Sequence, residues 1–226
     1  LSIQLTIPTV AAEALGVYRG LIYKCPWKHK MWDRYIIFSL FMVPFLAACL
    51  PGTQLYDNGR QMLFILPALF IFATFLIDMA AAKIRITFWK IIFILVLLIP
   101  GISSLFQLHP FQYIHYNQLA GGLQGAYKVY ELDYWYTASR EAIDFLNETA
   151  HADAIIGFNG RPIQITPYAR EDLTIVQVGN EGQTLTIQPD YSIICFRSTQ
   201  FLDGHEFDDV IYRVQRSDIP LALVIK

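Results

Sequence analysis

Charge is what this sequence has least of. Asp, Glu, Lys and Arg make up 16% of its 226 residues, where an average soluble domain carries about 25%. The deficit excludes a disordered chain and argues against an ordinary cytosolic enzyme. Cysteine is scarce too. Cys25, Cys49 and Cys195 are widely separated, so neither a disulfide nor a CxxC-type metal site is expected. The short motifs of soluble catalysis are absent: no P-loop, no dinucleotide fingerprint, no HExxH and no GxSxG. His109 and His115 stand six apart with no Cys near them, which is not the spacing of a metal pair on a helix. No metal site and no nucleic-acid partner are expected.

What charge there is falls unevenly. Residues 1–107 hold nine Lys/Arg and four Asp/Glu, residues 108–226 eight and fifteen, so the formal −2 is the sum of +5 and −7. The first half is built of long apolar runs. Residues 35–56 carry no charge, residues 61–82 only Asp78, and residues 91–107 none. A bilayer core about 30 Å thick takes about 20 mostly apolar residues of helix. The runs therefore predict spanning helices at about 35–53, 61–82 and 88–107. Buried helices of a soluble protein would show a polar stripe, and these do not. A weaker fourth candidate covers about 3–23, with Pro8 and Glu13 inside it. A carboxylate at mid-membrane costs about 3 kcal/mol. Either Glu13 faces a polar cavity or the segment lies at the interface; a fourth span is the preferred reading. Pro44, Pro67 and Pro100 sit within spans, where a membrane bundle tolerates them as kinks.

The basic residues orient the bundle. Five Lys/Arg fall in or beside the loop that ends at Arg34, one in the next loop (Arg60) and three in the third (Lys83, Arg85, Lys90). Positive loops stay inside, so the C-terminal half lies outside, in a prokaryotic cytoplasmic membrane. The chain starts at Leu1 with no signal-peptide pattern, and reads as the C-terminal part of a longer membrane protein.

Residues 108–135 are aromatic-rich and read as a connector along the outer membrane surface. Gly121, Gly122 and Gly125 within it could offer backbone N–H groups to a phosphate, although a glycine cluster is more often only a turn. Residues 136–226 read as a small α/β extracytoplasmic domain. Residues 137–150 are an amphipathic helix with Ala142, Ile143, Leu146 and Ala150 on one face, capped by Thr137 or Ser139. Strands are predicted at 154–158, 173–178, 191–197, 210–216 and 221–225 from their β-branched content. The N-x-T sequon at Asn147 lies on the predicted helix and reads as chance.

The sharpest polar constellation is Tyr56-Asp57-Asn58-Gly59-Arg60, a turn on the outer face just before an apolar helix. A guanidinium at the mouth of a bundle can grip a phosphate by two charge-assisted hydrogen bonds, or it can snorkel to lipid headgroups. Asp57, Glu131 and Asp133 are external carboxylates near the membrane. Each could contact a sugar or a divalent cation, or simply bond to neighbouring Tyr and Trp.

The run Y-D-N-G-R-Q-M-L-F-I-L-P-A-L (56–69) resembles the Tyr-x-x-x-Arg-(His/Tyr)-x-x-x-x-x-Pro pattern late in GT-C membrane glycosyltransferases of the protein O-mannosyltransferase and lipid A aminoarabinose transferase type. H-P-F-Q-Y-I-H-Y-N-Q-L-A-G-G-L-Q-G-A-Y (109–127), E-L-D-Y-W (131–135) and R-V-Q-R-S-D-I-P-L-A-L-V (213–224) are similar to prokaryotic members that end in a small external domain. Gln61 departs from the pattern, which puts a proton-transfer role there in doubt. The resemblance implies transfer of a sugar from a polyprenyl-phosphate donor to an acceptor at the outer membrane surface, with inversion at the anomeric carbon. It implies substrate contacts at Arg60, Tyr56, Asp57, His109, Glu131 and Asp133. It places the catalytic carboxylate in a first external loop upstream of Leu1, so no base is named here. No cofactor is implied beyond a possible divalent cation. Two other readings stay open: a non-catalytic membrane anchor with an external binding domain, and a transporter fragment.

Overall fold

The computed structural model describes residues 4–22, 31–53, 60–127, 129–178, 188–197 and 209–226. The chain divides into two compact units, residues 1–106 with 115–120, and residues 107–114 with 121–226. One is helical. The other carries a five-stranded sheet.

The helical unit contains α1 (Ile7–Ile22), α2 (Met31–Ala48), α3 (Leu66–Ala82) and α4 (Thr87–Gln107). A 3-10 turn, Arg60–Ile65, leads straight into α3. Two continuous helical runs, Arg60–Ala82 and Thr87–Gln107, are long and apolar enough to cross a membrane. Three or four such helices were expected; among the described residues two meet that length and apolarity. α1 has only 16 residues, and α2 has 18 with Asp33 and Arg34 in its first turns. α2 also stops earlier than residue 53, because Pro51 and Gly52 (φ 89°) follow it as a helix-ending pair. Pro44 and Pro100 lie inside their helices, as expected. Pro67 lies within the continuous Arg60–Ala82 run, in the first turn of α3 after the 3-10 segment.

α1 packs on α3 through small residues. Ala12, Gly16 and Gly20 recur every four positions on the buried face of α1. A Cβ on Gly16 would lie 2.2 Å from the Phe72 carbonyl oxygen, and one on Gly20 2.9 Å from the Phe72 ring. Only glycine lets the two backbones touch there. Asn117 returns the chain to this unit, donating to the Leu5 carbonyl at 2.6 Å while its own Oδ1 accepts the Leu119 N–H at 2.9 Å. α4 buries no residue, and Phe106 is 80% exposed.

The second unit begins with a short helix, α5 (Gly122–Ala126), and then α6 (Ala138–Thr149). The strands are β1 (Ile155–Phe158), β2 (Thr174–Gln177), β3 (Tyr191–Cys195), β4 (Val210–Arg216) and β5 (Ile219–Ile225). Their order is β2-β1-β3-β5-β4. β1 runs parallel to both β2 and β3; β5 is antiparallel to β3 and β4. Ser217 and Asp218, both at positive φ, form the two-residue β4–β5 turn, the geometry that suits a twisted hairpin. α6 lays its apolar stripe on one face of the sheet. Ala138, Ala142, Ile143 and Leu146 are fully buried, and each large aliphatic there contributes about 2 kcal/mol. Phe145 stacks on Tyr212 from β4, with ring centroids 4.2 Å apart.

The cap of α6 differs from expectation. Thr137 occupies the N-cap position, but its side chain makes no capping bond. Asp133 caps instead, accepting the Thr137 and Ala138 N–H groups at 2.8 Å each. A carboxylate offers two acceptor atoms and a negative charge at the positive helix end, which a hydroxyl does not match.

Candidate functional site

Arg60 opens the 3-10 turn that precedes α3 and is exposed. It therefore stands at the first residue of an apolar helical run of 23 residues. Tyr56 and Asp57 lie outside the described residues. Beside this end, a cavity of about 440 Å³ separates α2 from the Arg60–Ala82 run. Its lining is apolar apart from Ser39, and includes Leu40, Val43, Pro44, Phe64 and Pro67. Ser39 spends its hydroxyl on the Ile36 carbonyl, at 2.7 Å.

Asp133, Glu131 and His109 belong to the sheet unit, and each takes separate partners. Asp133 is fully buried. Besides capping α6 it accepts the Tyr113 hydroxyl. Burial pushes its carboxyl above the ordinary value, while Tyr113 and the two backbone donors pull it back. Burial, with the facing Asp133, pushes the Tyr113 phenol well up as well. This knot fastens the aromatic connector to the start of α6. Glu131 pairs with Arg197, Nε to Oε1 at 3.2 Å. His109 is exposed; its Nδ1 shares a hydrogen bond with Gln112 Nε2 at 3.0 Å, and its carbonyl accepts Arg216 Nε at 2.9 Å.

Gly121 and Gly122 both adopt positive φ and start α5, with the Gly125 N–H bonded to the Gly121 carbonyl at 3.1 Å. They form a turn. Among the described residues no three His, Cys, Asp or Glu side chains gather as a cation site. Cys49 and Cys195 are free thiols, the second inside β3. Asn147 uses both ends of its amide, donating to the Tyr168 carbonyl and accepting the Arg170 N–H, each at 2.8 Å. Its nitrogen is committed to the fold.

No family model, curated protein or solved structure matches this chain.

Several residues that shape the molecule were not among the candidate site residues. Glu13 was expected either at a polar cavity or at an interface; it is 7% exposed, and its Oε1 finds no hydrogen-bond partner among the described residues. His115 Nε2 is likewise buried without one, and burial holds its imidazole below the ordinary value. Arg216 clamps three elements: it donates to the His109 carbonyl, pairs with Glu141 Oε2 at 3.0 Å and lies 4.6 Å from the Phe111 ring centre. Arg170 grips Asp172 and the carbonyls that end α6. The Gly16–Gly20 spacing was a readable signal for close helix packing. Arg216 had none, because His109 and Glu141 are distant in sequence; Arg170 has Asp172 two residues on, but the carbonyls it also grips lie far back in the chain.

Proposed function

We propose that this chain is part of a membrane glycosyltransferase of the GT-C type, moving a sugar from a polyprenyl-phosphate donor to an acceptor on the outer face of the membrane. In this reading α1 to α4 form a bundle of three to four spans, and the sheet unit is extracytoplasmic. The observation that carries it is the position of Arg60, exposed at the head of an apolar helical run and four residues before Phe64, which lines the apolar cavity. A phosphate at Arg60 and an isoprenoid chain along the cavity would match those two chemistries. α4, uncharged after Lys90 and burying no residue, supports the bilayer as its solvent.

The reaction balances simply. An acceptor hydroxyl attacks the anomeric carbon, the carbon–oxygen bond to phosphate breaks, and polyprenyl phosphate leaves with the electron pair. A carboxylate base upstream takes the hydroxyl proton. Arg60 holds the negative charge that grows on the leaving phosphate, where a placed donor is worth about 3 kcal/mol or more.

One observation favours a second reading, a non-catalytic anchor. Both external carboxylates among the described candidates, Glu131 and Asp133, are engaged inside the fold. A photoreactive polyprenyl phosphate separates the two. It should label full-length protein in membranes, and Arg60→Ala should remove most of the labelling. Equal labelling of the variant would detach Arg60 from the donor.

A further inference from the structure

The chain leaves β1 as two consecutive 3-10 turns, Pro162–Gln164 and Thr166–Tyr168. A proline stands in the first turn of each, and the turns close on themselves. The Arg161 N–H donates to Gln164 Oε1 at 2.9 Å, and Thr166 Oγ1 donates to the Pro162 carbonyl at 2.8 Å. Ile165 pins the loop into the core, fully buried. The outer surface of this segment is therefore fixed by its own bonds.

That surface is unlike the rest of an acidic domain. Ile163 is 74% exposed at the tip. Arg161 and Tyr168 are exposed beside it in sequence, and Arg140 from α6 lies over the Tyr168 ring, 4.4 Å from its centre. From Arg161 to Ala169 there is no carboxylate; acidic residues resume at Glu171. A lone exposed isoleucine is ordinary. A rigid apolar tip with two guanidiniums and a tyrosine around it has the chemistry of the bilayer interface. There isoleucine meets the acyl boundary, tyrosine sits at headgroup level, and arginine pairs with lipid phosphate. The covalent tether selects this partner over a soluble one. Gln107 ends the apolar α4 and is also the first residue of the sheet unit, so this domain is covalently held to any bilayer that α4 enters, which raises the effective concentration of that partner.

We propose that the loop 161–168, together with Arg140, docks on the phospholipid headgroup layer of the membrane that α4 enters. This rests on the apolar helices being spans, and not on sugar transfer. The test places a nitroxide label at Ile163→Cys, Glu148→Cys or Ile94→Cys, one at a time, in full-length protein without its native cysteines. The protein is reconstituted in phosphatidylethanolamine/phosphatidylglycerol vesicles. Oxygen reports lipid exposure and a nickel chelate reports water. The oxygen-to-chelate ratio at 163 should clearly exceed that at 148, an exposed position on α6. Adding Arg140→Glu and Arg161→Glu should return it to the level of 148. A lipid-like ratio at 94 with a water-like ratio at 163, or exclusion of both reagents at 163, overturns the docking and leaves the spans standing. A water-like ratio at 94 overturns both.

Discussion

Asp133 and Arg60 entered as two candidate polar contacts and ended in different environments. Asp133 looked like an external carboxylate because it follows an aromatic run beside an apolar segment. Its real partners, the Tyr113 hydroxyl and the first N–H groups of α6, become visible only when the chain folds back on itself. Removing it strands three donors, and each buried group left unmade costs about 1–3 kcal/mol. Asp133→Ala should destabilise the sheet unit by about 3 kcal/mol and strip hydrogen-exchange protection from the first turn of α6. Unchanged protection there would show that Asp133 is not the cap. A second residue-scale expectation concerns pH. The hydrogen bonds from Arg170 hold the Asp172 carboxyl at about 2, below its ordinary 3.8. The folded value is the lower one, so the unfolded chain takes up the proton first. The pair therefore stabilises above pH 3.8, and that contribution is lost as pH falls through about 2. Asp172→Asn should flatten the acid-side fall of the melting temperature within that window; an unaltered slope would contradict the assignment.

The legible elements were those whose pattern is local. All five strands followed from β-branched runs, and α6 from a 3.6-residue apolar stripe that the sheet does bury. Less legible were the ends of α1 and α2, where apolar composition runs on past the helix. A hydrophobic run says how far lipid could reach, while a helix end is set by caps and by pairs such as Pro51-Gly52. The α1–α3 contact lay in between. Its four-residue glycine spacing is in the sequence, but the partner Phe72 is not. Gly16→Leu puts a side chain where the Phe72 carbonyl lies 2.2 Å from the first added carbon. It should cost about 1–3 kcal/mol and abolish cysteine cross-linking between α1 and α3 in membranes. Full cross-linking in the variant would mean the backbones do not touch.

Across the whole molecule, the charge split between the two halves of the chain corresponds to two units of different solvent character. One is helical, with apolar faces left open; the other is a sheet domain whose core is closed by α6 and whose net charge is negative. The candidate site was only partly legible at this scale. Arg60 stands in the helical unit, while His109, Glu131 and Asp133 stand in the sheet unit with partners of their own, and Tyr56 and Asp57 fall outside the described residues. The family resemblance had grouped all six as substrate contacts, and it carries no information on the local partners each side chain takes. The most direct measurement is sugar transfer from a polyprenyl-phosphate donor by membranes containing the full-length protein, with Arg60→Ala and Arg60→Lys alongside and insertion verified for each. Transfer should be present in the parent, fall on the order of a hundredfold or more in Arg60→Ala, and recover in part in Arg60→Lys. Transfer that is undiminished in Arg60→Ala, or absent from the parent protein, would contradict it.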